Sequence, residues 1–287
     1  GIGADCGLFA RDLAPDHIVH LRGEVARKAG DIDAGEAREQ LPHQRVLGDP
    51  DRLADLRQHG QDQLLTHFLA KEARGCGRAA AVSFVDVVGP SPSEMLAELP
   101  PGPVTVLPAF LARGHHVRVD VTRHVTQADR PVFLADALGP SRLLAQALMI
   151  RLAEAGTTCN DAVVLAAAGS SDPAAHRDIE CAARYLSALR GSPVEVAFAS
   201  VSGASPYRSV AETVADLRRH DRRRRVAVAS YLLADGLFQR RLEESGADVV
   251  ARPLGLATPV IELACARVAT AREFAATECR QRAGIPV

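Results

Sequence analysis

The segment VTVLPAFLARGHHVRVD, residues 104–120, decides the fold. It opens on an apolar run, Val104, Val106 and Leu107, passes Pro108, and continues apolar from Ala109 to Ala112. Gly114 breaks the run and two adjacent histidines, His115 and His116, follow. The pattern reads as a buried strand over Val104–Ala109 that ends in a glycine loop. Open α/β sheets place their ligands in such loops, beyond the carboxyl ends of the strands. Histidine titrates near neutral pH and also ligates metals, so the loop is the leading candidate for a working site.

The same pattern occurs twice. Residues 106–117, VLPAFLARGHHV, line up with 228–239, VASYLLADGLFQ, each an apolar strand followed by a Leu-Ala-x-Gly turn. Upstream, SFVDV at 83–87 lines up with AFASV at 197–201. Two similar α/β lobes follow from this repeat. In the alignment His116 faces Phe238 and Asp86 faces Ser200, which puts the ionisable chemistry in the first lobe only. A ligand then belongs in the cleft between the lobes.

The rest of the chain extends the alternation. Strands are expected at Ala79–Val87, Asp161–Ala167, Val194–Ala199, Arg225–Tyr231 and Asp248–Ala251. Helices are expected at Pro92–Leu99, Pro140–Ala155, Ala174–Arg190, Val210–His220, Phe238–Ser245 and Val260–Arg272, with extended pieces between 117 and 135. Strands alternating with helices predict parallel sheets with helices on both faces. Residues 1–77 differ. They hold five of the ten histidines and no β-branched run, and they read as an atypical helical or partly disordered segment with helical spacing in His17–Ala29 and Leu64–Ala73. The organisation is therefore 1–77, a first lobe over 78–156, a second over 157–273, and a tail over 274–287.

Composition excludes several classes. The 287 residues carry a net charge of −1 and only 4% aromatics, so neither nucleic acid nor an anionic membrane is expected as a partner. Six cysteines are scattered, none in a C-x-x-C pair, which argues against a zinc ribbon and for reduced thiols in the cytoplasm. No apolar run is long enough to span a bilayer. Ser170 and Ser171 have no histidine and aspartate at triad spacing, and the turn Gly169–Pro173 lacks the lysine of a phosphate loop. That turn is either a backbone cradle for a substrate carboxylate or a plain helix start capped by Ser171 or Asp172. The run Arg222–Arg225 follows a helix and reads as a solvated face.

Five segments, SFVDVVGPSPSEML (83–96), VLPAFLARGHHVRVDV (106–121), DAVVLAAAGSSDP (161–173), VAVASYLLADGLFQRRL (226–242) and GADVVARPLG (246–255), resemble the sirohydrochlorin chelatase and cobaltochelatase family. These are small class II tetrapyrrole chelatases, and the resemblance, over about residues 80–270, is to their two-lobe form. It implies a lyase that inserts a divalent metal, Fe²⁺ for siroheme or Co²⁺ for cobalamin, into a sirohydrochlorin-like tetrapyrrole. No cofactor is implied beyond that metal substrate. The family's G-x-H-V motif maps onto Gly114-His115-His116-Val117, making His116 the metal ligand and proton acceptor. His115 departs from the family and is either a supplementary ligand or an exposed loop residue. The acidic position at the end of the second strand maps onto Asp86, as a partner of His116 or as a turn former before Gly89-Pro90. Arg113 and Arg118 either bind substrate carboxylates or are solvated loop arginines, the commoner case.

The family also opens with a strand and an H-G-[ST]-R turn whose histidine handles the metal first. Counting back through the repeat places that turn near Ala54, where only His59-Gly60 stands. The first strand of lobe one is thus expected to be missing. The alternative to an active chelatase is a degenerate, non-catalytic binder of metal or tetrapyrrole; a weaker third reading makes residues 1–77 a fused interaction domain.

Overall fold

Strand β3, Val104–Pro108, is buried at all five positions, which is what a central parallel strand covered on both faces requires. The computed structural model describes residues 17–22, 80–85, 90–201 and 206–282, and for 17–22, 80, 116 and 278–282 the backbone only. It contains two four-stranded parallel sheets. The first comprises β1 (His17–Arg22), β2 (Ala80–Phe84), β3 and β4 (Val132–Leu134), in the order β2-β1-β3-β4. The second comprises β5 (Ala162–Ala167), β6 (Val194–Phe198), β7 (Val226–Tyr231) and β8 (Val249–Val250), in the order β6-β5-β7-β8. The two orders are equivalent strand for strand, so the repeat read from the sequence is a repeat of topology.

Strand β1 overturns the His17–Arg22 part of the expected helix, whose remainder, 23–29, lies outside the described residues, and supplies the strand expected to be missing. It pairs in parallel with β2 through Ile18–Arg22 and with β3 through His17–Leu21. The two flanking strands are both paired to β1, and their backbone groups need that partner. The Ile18-Val19 pair gives the segment enough strand preference to serve, and tertiary pairing overrides the surrounding helical spacing. The Leu64–Ala73 helix, His59 and Asp86 lie outside the described residues.

Most helices begin where the sequence signals them. Helix α1, Pro92–Glu98, has Ser91 and Glu94 as a reciprocal capping box and Pro92 in its first turn. The extended pieces expected over 117–135 are largely helical instead: a π-helix at His116–Val121 runs into α2, Thr122–Thr126, before β4. Helices α3 (Arg142–Glu154), α4 (Pro173–Arg190), α5 (Val210–His220) and α6 (Leu237–Glu243) follow the expected positions closely. Helix α7 runs from Thr258 to Arg282, so the supposed tail from 274 continues it to residue 282.

Side-chain alternation along the strands sorts the apolar residues into separate cores. Val104 and Val106 point with Leu96 of α1 and Val121 to one face of the first sheet. Val164, Val226 and Val228 point with Val210 and Val214 of α5 and Leu242 of α6 to the outer face of the second. The opposite faces meet in one continuous core. Leu107 of β3, Val163 and Leu165 of β5, and Tyr231 of β7 join Leu144, Leu148 and Leu152 of α3, Ile179 and Leu186 of α4, and Val260, Leu263 and Val268 of α7.

The final helices of the lobes are exchanged. Helix α3 follows β4 of the first sheet but packs on β7 of the second, while α7 follows β8 of the second sheet but packs on β3 and β4 of the first. Helices α3, α4 and α7 therefore fill the space between the two sheets.

Gly139 shows how tight this seam is. Its N–H donates to the Phe110 carbonyl at 2.9 Å. A Cβ built there would lie 1.9 Å from the Leu111 carbonyl oxygen and 2.7 Å from the Tyr231 hydroxyl. The obstructing carbonyl is backbone and cannot swing aside, so Gly139→Ala is expected to cost about 1–3 kcal/mol, measured by urea denaturation. Native-like stability would contradict the contact. At the edge of the second sheet, Asp248 accepts from the Val226 N–H and from Arg218, both at 2.8 Å. The Val226 N–H, against some desolvation and with help from Arg218, holds the Asp248 carboxyl below its ordinary 3.8. A depressed carboxylate stabilises the fold above its unfolded value, and the contribution disappears as pH falls through the lower folded value. Acid titration of stability below pH 3.8 is thus expected to flatten in Asp248→Asn.

Candidate functional site

The candidate histidines stand where the parallel-sheet rule puts a ligand, beyond the carboxyl end of β3. After Pro108 the chain runs through residues 109–114. His115 is the residue before the π-helix, with helical φ and ψ of −53° and −46°, and His116 is its first residue. The π-helix is uncommon and concentrates at functional sites. His115 is exposed. Among the described residues, no three His, Cys, Asp or Glu side chains gather into a metal-holding group.

What the structure brings to this loop comes from the other lobe. Gly114 lies against the start of α4: a Cβ on it would be 3.6 Å from Ala175 Cβ and 3.9 Å from Ser170 Oγ. The Tyr231 hydroxyl, buried at the end of β7, donates to the Leu111 carbonyl at 2.9 Å. Burial, together with the charge of Asp178, raises the pKa of this phenol far above its ordinary value, so it stays protonated and remains a donor. The Arg118 guanidinium donates to Asp172 Oδ2 at 2.6 Å. The Arg113 guanidinium grips Asp178 with Nε to Oδ2 at 3.0 Å and a terminal nitrogen to Oδ1 at 2.8 Å, and the Arg113 backbone N–H adds a third bond at 2.8 Å. The hydrogen bond Arg113 donates to Asp178, then the charge of Asp178, raises the Arg113 pKa above its ordinary value.

These pairings leave Arg113 and Arg118 largely exposed, as the solvated-loop reading expects, but partnered within the protein. Both guanidiniums are bound to carboxylates of the protein itself. The pairings correct the assignment of all ionisable chemistry to the first lobe, since Asp172 and Asp178 belong to the second.

The turn Gly169–Pro173 resolves in favour of a helix start. Asp172 is the N-cap of α4, with Oδ1 accepting from the Ala174 N–H at 2.8 Å. Desolvation works against its ionisation, but the Ala174 N–H, Arg118 and the charge of His115 outweigh it and hold the carboxyl below its ordinary value. Ser170 Oγ accepts from the Asp172 N–H at 3.1 Å. The Ser170 carbonyl lies 2.7 Å from His176 Nε2, and because a carbonyl only accepts, that nitrogen carries the proton. His176 in turn stacks edge-on to Tyr207 and tilted on Phe198, with centroids 4.9 and 5.6 Å apart. Gly169, at φ 138°, must be glycine, because a Cβ would meet the Ser200 carbonyl oxygen at 2.2 Å.

The sequence held one unread signal of this arrangement. The buried stripe of α4 is Ala175, Asp178, Ile179, Ala182, Ala183 and Leu186, at helical spacing. An aspartate on an apolar stripe needs a partner. Elsewhere, the run Arg222–Arg225 is exposed as expected, with Arg224 reaching the Asn160 carbonyl at 2.9 Å. Among the described residues, no helix is long and apolar enough to cross a membrane.

With this geometry in view, the likenesses to known proteins are informative. The CbiX family model matches residues 57–155 and again residues 162–271, one match in each lobe and more than half of the chain together. Among curated proteins none matches. Among solved structures, SirB from Bacillus subtilis with Fe3+ superposes with a TM-score of 0.60 at 18% identity, over 90% of this chain and 96% of that one. SirB from Bacillus subtilis subspecies spizizenii in complex with cobalt gives 0.57 at 15% identity, over 91% and 96%. CbiX, the terminal enzyme for biosynthesis of siroheme in denitrifying bacteria, gives 0.56 at 17% identity, over 89% and 98%. At these identities the structures establish a shared fold, and the two matched segments establish kinship. The chain belongs to the CbiX family, the group of small class II tetrapyrrole chelatases that includes the sirohydrochlorin chelatases and cobaltochelatases.

Proposed function

We propose that this protein inserts a divalent metal, Fe²⁺ or Co²⁺, into a sirohydrochlorin-type tetrapyrrole at the carboxyl-end cleft between its lobes. The observation that carries the reading is the placement of His115 and His116 at the opening of a π-helix beyond β3, on the seam with the second lobe. The chemistry is a lyase-type exchange without oxidation or reduction. Two pyrrole N–H protons leave the macrocycle as the divalent metal binds its four nitrogens, so charge balances, and the metal is a substrate, not a resident cofactor. His116 is the metal ligand and, as a neutral imidazole, the proton acceptor. His115 is the supplementary ligand. Asp86, one residue beyond the described part of the β2 strand and its bend, is the acidic partner, and imidazole with carboxylate suits both metals.

Val119 in the π-helix, Val201 beyond β6 and Leu237 at the start of α6 are exposed apolar side chains, all on segments that leave the carboxyl ends of strands. Arg113 and Arg118 already pair with Asp178 and Asp172.

One observation favours the second reading, a non-catalytic homologue that binds metal or tetrapyrrole. By the equivalence of β1 with β5, the family's H-G-[ST]-R turn belongs directly after Arg22, where this chain reads Gly23-Glu24-Val25. His59-Gly60 is the His-Gly pair within the first matched segment.

An assay separates the two. The protein is incubated with sirohydrochlorin and Fe²⁺ or Co²⁺ and the visible spectrum is followed against a metal-only control. Acceleration over the control is expected, with His116→Ala lowering kcat about 100-fold or more, the scale of a lost general base. A native rate equal to the control, with metal or tetrapyrrole binding intact, would establish the second reading instead.

A further inference from the structure

Arg113 is well exposed, with 59% of its side chain accessible, yet its guanidinium is committed to a carboxylate only 8% accessible. Asp178 sits on the buried stripe of α4, where an ionised carboxylate is stable only with its oxygens satisfied. Arg113 supplies all three of the hydrogen bonds described for it, one of them from the main chain. A fork of this kind fixes plane as well as distance, so neither partner turns without losing two bonds at once.

The position of the fork gives it a consequence. Its backbone bond fixes the main chain three residues before His116. Two residues after His116, Arg118 is tied to Asp172 at the N-cap of α4. Between them Gly114 packs at ordinary van der Waals distance from Ala175 and Ser170. The histidine-bearing turn of one lobe is thus held on both sides by the first two turns of a helix in the other. Asp172 already caps its own helix and meets Arg118 through a single bond, so the Arg113–Asp178 fork is the stronger of the two ties.

We infer that Arg113 and Asp178 are a positioning pair, which seats residues 114–118 on the second lobe and so fixes where His115 and His116 stand over the cleft. Its value for catalysis rests on the metal-insertion reading above, but the seating of the turn is measurable without it. Neither residue touches the reacting atoms in this role.

Asp178→Asn keeps the shape and removes the charge; Arg113→Lys keeps the charge and removes the fork. Each variant and the double variant are compared with the native chain in three measurements: amide hydrogen exchange, Co²⁺ binding by visible absorption, and turnover of sirohydrochlorin with Co²⁺. Exchange across 113–121 is expected to accelerate while β5 and β7 stay protected as in the native chain. Co²⁺ affinity and kcat are expected to fall about tenfold or more, with KM for the tetrapyrrole little changed, as for a misplaced group remote from the substrate. The double variant is expected to lose no more than the worse single one, because the two residues act as one unit. Unchanged exchange across 113–121 would overturn the inference. So would faster exchange there with native Co²⁺ binding, since the fork would then be structural only. If Asp178→Asn fails to fold, Arg113→Lys, which leaves Asp178 a cation, decides the matter by the same measurements. A native chain that neither binds Co²⁺ nor turns over, but whose 113–121 exchange responds to the variants, removes the metal-insertion reading and leaves the seating of the turn standing.

Discussion

The architecture depends on one constraint: each sheet is covered on its inner face by a helix that belongs, in sequence, to the other lobe. Helix α3 leaves the first sheet to pack on β7, and α7 leaves the second sheet to pack on β3 and β4. The resulting core runs without interruption from Leu107 through Leu148 and Val260 to Tyr231. Hydrophobic burial is proportional to area and indifferent to lobe boundaries, so this shared core binds the two halves to each other.

The polar seam rests on that apolar foundation. Tyr231 reaches Leu111, Asp178 reaches Arg113, and Asp172 reaches Arg118, all across the same boundary. A neutral hydrogen bond contributes only about 0.5–1.5 kcal/mol and one to a charged group about 1.5–3 kcal/mol, and because both depend on geometry they orient the histidine turn. The support for the turn extends further, from Asp172 through Ser170 to His176 and its aromatic neighbours Phe198 and Tyr207. Tyr207 donates to Glu180, and burial together with that carboxylate pushes its phenol up to about 12, so it keeps its proton at any physiological pH.

The sequence exposed the repeat because the two halves share a register: Val104 answers Val226 and Gly114 answers Gly236, and the strand orders agree. Helix starts were readable because capping is local; Ser91 with Glu94, Asp172 and Ser209 with Glu212 all act within three residues. Strand β1 was not readable, since only pairing with β2 and β3 makes Ile18-Val19 a strand. The π-helix after His115 was missed because the alternation of Val117, Val119 and Val121 mimics a strand period. At the site, the positions of His115 and His116 followed from one stretch of sequence. The identity of their supports did not, because Arg113 and Asp178 are 65 residues apart and no local rule joins them.

The exchange of helices also sets an order of events. Helix α7 begins at Thr258, near the end of the described chain, yet it is what covers the inner faces of β3 and β4. During synthesis the first sheet is made long before its cover, and its apolar inner face stays open until the last stretch has emerged. The inner core of the first lobe is therefore complete only once α7 has been made.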